Sequence, residues 1–381
     1  MSAASHEIRP FRVTISQESL DDLRSRLDRV RWTSDIPGSG PGYGVSLPWL
    51  RSLVQHWRDG YDWRSVEARL NSYPQFITEI DGQDIHFLHV KSPEPDALPL
   101  ILTHGWPGSV VEYLDVIGPL TDPRAHGLDP AIAFDLVVPS LPGFAFSAPL
   151  TDRGWSTQRT AAAWVELMRR LGHERYGAAG NDAGSMVSPE IGRLDPEHVT
   201  GVHVTQVFSF PSGDPAEFAD MSAEDMAAMQ KLQWFMETKF SFNQLHSQQP
   251  QTLAHALADS PAGLLGWNAQ LMTDDAMGER SLDDDFILSN VTLYWLTNTG
   301  GSSIRFYYEN AKAPRASEPT TVPLGVAGFA GDFSGVRRFA ERDHKNIVQW
   351  NMHPEPGGHY AAHQEPQVLA DDIRGFYAGL R

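Results

Sequence analysis

From residue 98 onward the chain alternates short apolar runs with segments long enough to be helices. The runs are Leu98 to Thr103, Phe134 to Pro139, a short one before Gly180, Val199 to Val207, Val322 to Phe329 and Ile347 to Trp350. Strands joined by helix-length connections pair in parallel, and a parallel sheet needs both of its faces covered. The expected fold class is therefore α/β, a mostly parallel sheet with helices on both faces.

What precedes the sheet is of a different character. Leu20, Leu23, Leu27 and Val30 recur at helical spacing behind Ser16, which is placed to cap that helix. A Gly/Pro-rich loop from Pro37 to Gly44 follows, then a stretch with Trp49, Trp57 and Trp63 that reads as a second helical pair. Phe76 to Ile80 and Asp84 to Val90 flank Asp81-Gly82, the dipeptide of a tight hairpin turn. Between about 208 and 300 the pattern turns polar, Met-rich and helical, with no strand until after Pro319. Such an insertion commonly forms a lid over an active site. The division expected is residues 1–95 as an N-terminal segment, 96–207 as the first part of the core, 208–300 as the lid and 301–381 as the second part of the core. Asp283 to Asp285 reads as a solvated helix start.

Composition narrows the function. The chain has 381 residues, 41% of them hydrophobic, with 11 Trp, 18 Phe and 10 Tyr to fill a core. A net charge of -18 disfavours a broad basic face for nucleic acid. There are 0 Cys, so disulfides, thiolate nucleophiles and Cys-ligated zinc are excluded, and any nucleophile must carry oxygen or nitrogen. No apolar run approaches the roughly 18 residues that span a bilayer, and the N-terminus lacks a signal-like stretch. A cytoplasmic protein with no membrane partner is expected.

Three short motifs carry chemistry. Gly180-Asn181-Asp182-Ala183-Gly184 has the form G-x-D-x-G between a short strand and a helix-like segment, a nucleophile elbow with Asp where Ser usually stands. The competing reading is an Asp that merely caps the helix beginning at Ala183. His104-Gly105-Trp106-Pro107-Gly108-Ser109 follows the run Leu100 to Leu102, where an α/β-hydrolase keeps half of its oxyanion hole. Trp106 and Ala183 would then supply the two backbone N–H donors; a plain turn is the alternative for His104-Gly105. Gly357-Gly358-His359 lies after the last apolar run, where this fold holds its general base, although an isolated His is more often a surface residue. The order Asp182, Asp332, His359 is the hydrolase order of nucleophile, acid and histidine. His359 and His363 also have the i, i+4 spacing of a helical metal pair, but no third ligand completes one, so no metal is expected.

An aspartate nucleophile points to substitution at saturated carbon. Serine would leave a stable ether there, whereas a carboxylate leaves an ester that water can cleave. Two leaving groups fit: a halide, which needs N–H donors around it, or an epoxide oxygen, which needs an acid such as tyrosine.

Over nearly its whole length the chain resembles an α/β-hydrolase-fold epoxide hydrolase of the microsomal type, including that family's N-terminal segment. The resemblance rests on Pro10-Phe11, Arg31-Trp32, Tyr61-Asp62-Trp63, Leu70-Asn71, FITEIDGQDIHFLHV at 76–90, HGWPGS at 104–109 and SLPGFAFS at 140–147. It continues through LADSPAGLLGW at 257–267, LYWLTNT at 293–299, RFYYEN at 305–310 and GGHYAA at 357–362. It implies Asp182 as nucleophile, Asp332 as acid partner, His359 as base and Tyr307 as the lid tyrosine that hydrogen-bonds the epoxide oxygen, with Tyr308 as the neighbouring alternative. It implies no cofactor.

The family generally uses two lid tyrosines, and eight positions before Pro250 the place of the first holds Phe242. Phe cannot donate a proton, so Tyr307 works alone, or a donor elsewhere substitutes, or the register differs. His104, Trp234 and Phe242 are the expected substrate-facing residues, Trp234 being equally readable as a core aromatic. Ala183 stands where Trp often follows the nucleophile, which suggests a roomier pocket and a bulky or aromatic epoxide. His363-Gln364 is a further departure. The readings carried forward are an epoxide hydrolase, a halide-releasing hydrolase and a non-catalytic small-ligand binder; a homodimer is compatible with each.

Overall fold

The computed structural model describes residues 7–273, 282–314, 318–333, 335–354 and 357–380. Nine strands form one sheet: β1 (Arg9–Phe11), β2 (Gln75–Ile80), β3 (Gln83–Val90), β4 (Leu98–Thr103), β5 (Phe134–Pro139), β6 (Tyr176–Gly180), β7 (Val199–Val204), β8 (Leu324–Phe329) and β9 (Ile347–His353). Their spatial order is β1-β2-β3-β5-β4-β6-β7-β8-β9. The first three strands and β5 pair antiparallel, and from β5 to β9 every pairing is parallel. The three-residue β1 is the one strand without a sequence signal, being too short to show a period.

Alternation along each central strand divides the core between the two faces of the sheet. Ile101, Val137, Ala178 and Val202 belong to one buried cluster, and Leu100, Leu102, Leu136, Val138 and Ala179 to the other. The first cluster extends into the lid through Leu257, Leu264, Leu265, Ile287 and Val291, and into the N-terminal helices through Leu23, Leu27, Leu53 and Trp57. Ser16 caps helix Gln17–Asp28, as its position predicts, and the Trp-rich stretch forms helices Leu47–Asp59 and Trp63–Leu70. These helices strap the lid. Arg26 donates to the Asp259 carbonyl (3.0 Å), His56 meets Asp285 (2.7 Å) and Tyr61 donates to the Ser289 hydroxyl (3.2 Å).

The lid is helical from Ala223–Thr238 through Ser241–Gln248, Pro250–Asp259, Pro261–Ala269 and Asp284–Leu296. It does not stop at 300. Helix Arg305–Lys312 continues it, and the chain re-enters the sheet only at Leu324. Asp283 caps helix Asp284–Leu296 by accepting from the Phe286 N–H. Among the described residues no helix is long and apolar enough to cross a membrane.

Candidate active site

In a parallel sheet the loops at the carboxyl ends of the strands lie together, and sites form there. The loops after β4, β6, β8 and β9 meet at that edge and bring His104 to Ser109, Asp182, Asp332 and His359 within reach of one another.

Asp182 sits at the start of helix Ala183–Leu194 with φ 51° and ψ -116°, and its side chain makes no capping hydrogen bond. Its Oδ1 instead accepts from the Trp106 N–H at 2.9 Å. The capping reading of this residue is thereby replaced: the backbone is held in a region that L-residues rarely enter, which directs the carboxylate away from its own helix. The turn is tight enough to require glycine at Gly184, where a Cβ would lie 1.8 Å from the Thr103 carbonyl oxygen. Gly105 is equally constrained, since a Cβ there would lie 2.1 Å from Asp182 Oδ1.

His359 Nε2 stands 3.9 Å from Asp182 Oδ2, and its Nδ1 lies 3.2 Å from Asp332 Oδ1. Asp332 is 2% exposed. Burial raises the Asp182 carboxyl above its ordinary value, and His359 with the Trp106 and Ala183 amides pulls it back part of the way. Tyr307, on helix Arg305–Lys312, packs edge-on to Trp106 with ring centroids 6.0 Å apart. Burial and the nearby Asp182 hold its hydroxyl well above the usual phenol range, so it stays a donor. Its neighbour Tyr308 is exposed beside Lys312.

Phe242 stacks on Trp106 at 5.3 Å and meets Tyr307 at 5.9 Å. Two of the residues expected to face substrate are placed otherwise. His104 is fully buried, with Nδ1 at 3.0 Å from the Gly105 carbonyl and Nε2 accepting from the Leu141 N–H at 3.2 Å, so it braces the loop from behind. Trp234 is 40% exposed and lies near the Lys239 ammonium, while its neighbour Phe235 turns inward against Phe240 and Phe242. His363 is no partner of His359 in a metal site. Its Nδ1 meets Asp115 at 2.9 Å and its Nε2 meets Asp283 at 2.6 Å.

The family model described as epoxide hydrolase N terminus matches residues 8–113, and that for the α/β hydrolase fold matches residues 99–260. Epoxide hydrolase 1 of Sus scrofa is 33% identical over 407 residues, covering 98% of this chain and 89% of its own. The chain belongs to the epoxide hydrolases of the microsomal type. Among solved structures, the epoxide hydrolase of Aspergillus niger is similar at 31% identity and TM-score 0.86, covering 100% of this chain and 98% of its own. The juvenile hormone epoxide hydrolase of the silkworm Bombyx mori is similar at 26% identity and TM-score 0.88, covering 99% and 96%. The α/β-hydrolase fold implied by the resemblance is the fold of this epoxide hydrolase.

Sequence reasoning alone does not single out several residues of the site. The Gln206 side-chain oxygen accepts from the Asp182 N–H (2.7 Å), and its amide nitrogen donates to Asp332, so one side chain ties the Asp182 backbone to the Asp332 carboxylate. Asn181 donates to the His359 carbonyl (2.8 Å) and accepts from the Thr205 hydroxyl. Lys231, on lid helix Ala223–Thr238, donates to the backbone carbonyls of Ala330 (2.9 Å) and Asp332 (2.6 Å). Glu112 is buried behind the HGWPGS loop, and burial pushes its carboxyl up to about 8. Of these, Asn181 lies inside the Gly180–Gly184 motif, and Glu112 stands three residues after Ser109 in a mostly apolar stretch.

Proposed function

We propose that this epoxide hydrolase opens its substrate through an ester on Asp182. The Asp182 carboxylate attacks one epoxide carbon, the bond from that carbon to oxygen breaks, and the electron pair moves onto oxygen, which takes the Tyr307 hydroxyl proton. His359 Nε2 next removes a proton from water as that water adds to the ester carbonyl. The Trp106 and Ala183 N–H groups hold the resulting oxyanion, and Asp332 orients His359 and stabilises its cation. Collapse releases the second diol oxygen, which receives the His359 proton. The acid left on Asp182 gives up its own proton, which restores Tyr307. Epoxide and water have become a vicinal diol.

The single observation behind this reading is that Asp182 gives its helix no side-chain cap and sets one carboxylate oxygen on the Trp106 amide, with His359 Nε2 3.9 Å from the other. That separation is too long for a direct hydrogen bond and leaves the imidazole to act on water. With enzyme in excess over epoxide in water enriched in heavy oxygen, the first turnover should give unlabelled diol and an Asp182 side chain carrying the label. Labelled diol in that first turnover overturns the ester.

The substrates we propose are bulky, aromatic epoxides. Phe235, Phe240, Phe242, Trp106 and Tyr307 form a continuous run of ring contacts from the outer lid to the Asp182 loop, a surface suited to aryl groups.

A further inference from the structure

The place of a second lid hydroxyl is taken by Phe242, yet one helical turn further along the same face stands His246. His246 is fully buried. Its ring lies 4.7 Å from that of Trp106, 5.0 Å from that of Tyr307 and 5.8 Å from that of Phe242, so it shares a cluster with the proton donor and with the residue whose amide holds Asp182. Its tautomer is set from outside. Trp267 Nε1 approaches His246 Nε2 at 2.9 Å, and an indole N–H can only donate, so Nε2 is the acceptor. Burial pushes the ring down to about 3, which keeps it neutral, and the single ring proton must then sit on Nδ1. Nδ1 is buried and finds no hydrogen-bond partner among the described residues. A buried donor left without an acceptor is uncommon in a folded protein and marks a position where something else supplies one.

Building on the ester mechanism above, we infer that His246 is a second catalytic donor, whose Nδ1–H binds the epoxide oxygen beside the Tyr307 hydroxyl and replaces the hydroxyl that Phe242 lacks. As the ring opens, the oxygen gains the electron pair of the broken bond. Tyr307 gives it a proton, and His246 holds it by a hydrogen bond while keeping its own proton, so no proton is owed to His246 afterwards. Trp267 acts as a positioning residue, because it alone decides which nitrogen presents the N–H. The Trp106 Nε1–H, also buried and without a partner among the described residues, is the rival donor in the same cluster.

The test uses the full chain carrying His359→Gln, in which the ester accumulates, with styrene oxide as the probe and the rate of adduct formation read by intact mass. Adding His246→Leu should slow adduct formation about tenfold or more, the scale of losing a donor to a developing oxyanion. Adding Tyr307→Phe as well should slow it further, and adding Phe242→Tyr to His246→Leu should restore much of the rate. That rescue is one that a merely structural role would not give. Trp267→Phe, which leaves His246 in place, should slow adduct formation severalfold with little change in the epoxide concentration at half-saturation, and it serves if His246→Leu does not fold. A His246→Leu or Trp267→Phe rate within twofold of the parent overturns the inference. So does a loss seen only with Trp106→Phe, which would give the task to the indole. Absence of adduct in the His359→Gln parent itself would instead remove the ester reading on which this one stands.

Discussion

Asp182 begins a helix without giving it a side-chain cap. Its positive φ is tolerable only because neighbouring atoms leave the turn no other path, and Gly184 is the clearest of these constraints. Gly184→Ala would drive a Cβ into the Thr103 carbonyl, a backbone atom of a central strand that cannot give way. A loss on the order of 3 kcal/mol or more, or failure to fold, is expected from thermal unfolding. Gly375→Ala, inside helix Pro366–Ala378 with nothing within 4 Å of the new methyl, should instead be neutral or stabilise by about 0.5–1 kcal/mol. Glu112 gives a second test at this scale. Burial raises its carboxyl from an ordinary 4.5 to about 8, so between those values the unfolded chain has lost a proton that the folded chain keeps. Folded stability attributable to this group therefore falls as pH rises through that window, by up to ~1.4 kcal/mol per unit, and levels off above it. Glu112→Gln should flatten this part of the stability profile in denaturant titrations from pH 5 to 8; an unchanged slope would show that the carboxyl ionises freely. At the residue scale, chain order let the sequence point to Asp182, Asp332 and His359, which the fold brings together. It could not carry Gln206, Lys231 or the Nδ1–H of His246, because each depends on an approach across long sequence separation that no spacing encodes.

Elements are held to one another here by polar contacts as much as by apolar packing. The clearest is His363, stacked on Phe286 at 4.0 Å and bridging Asp115, which follows the HGWPGS loop in sequence, to Asp283, at the head of helix Asp284–Leu296. Burial alone would lower its pKa, but the two carboxylates outweigh burial and raise it to about 9. A histidine whose folded value is raised contributes fully below its ordinary 6.5 and loses that contribution as pH climbs through about 9. The melting temperature should accordingly decline from pH 7 to 10, and His363→Gln should lower it at pH 6 more than at pH 10. Equal losses at both would mean that the charge plays no part. Helix Ala223–Thr238 shows why Trp234 was misplaced from sequence: Met226, Met229, Leu232, Trp234, Phe235 and Met236 surround its axis with no single apolar stripe, so nothing in the pattern selects an inward face. The boundary at 300 had a related cause, because helix Arg305–Lys312 and the loop after it are as polar as the lid that precedes them.

For the molecule as a whole, the central strands were legible because parallel strands buried on both faces read as continuous apolar runs. The helical stretch after residue 208 was legible as the gap between such runs. What composition could not convey is that the N-terminal helices bind chiefly to the lid, which they anchor through Arg26, His56 and Tyr61. The Asp182 loop then lies between two apolar bodies, and aromatic rings from both, Trp106 on one and Phe242 and Tyr307 on the other, meet beside it. The ratio kcat/KM for a styrene-type or polycyclic epoxide should exceed that for a small aliphatic one by about tenfold or more, as expected where aryl burial adds binding energy. The reverse ranking in an initial-rate comparison would exclude an aryl-recognising pocket.

In the proposed mechanism Asp182, His359 and Asp332 act from the ends of the strands, whereas Tyr307 acts from helix Arg305–Lys312. A small sideways slip of one body against the other would carry the anchor of the strained oxygen past the first ring carbon toward the second, while the attacking oxygen stayed where it is. On that mechanism the regiochemistry, and with it the handedness of the product, would be tuned by substitutions along the seam that leave the attacking groups unaltered.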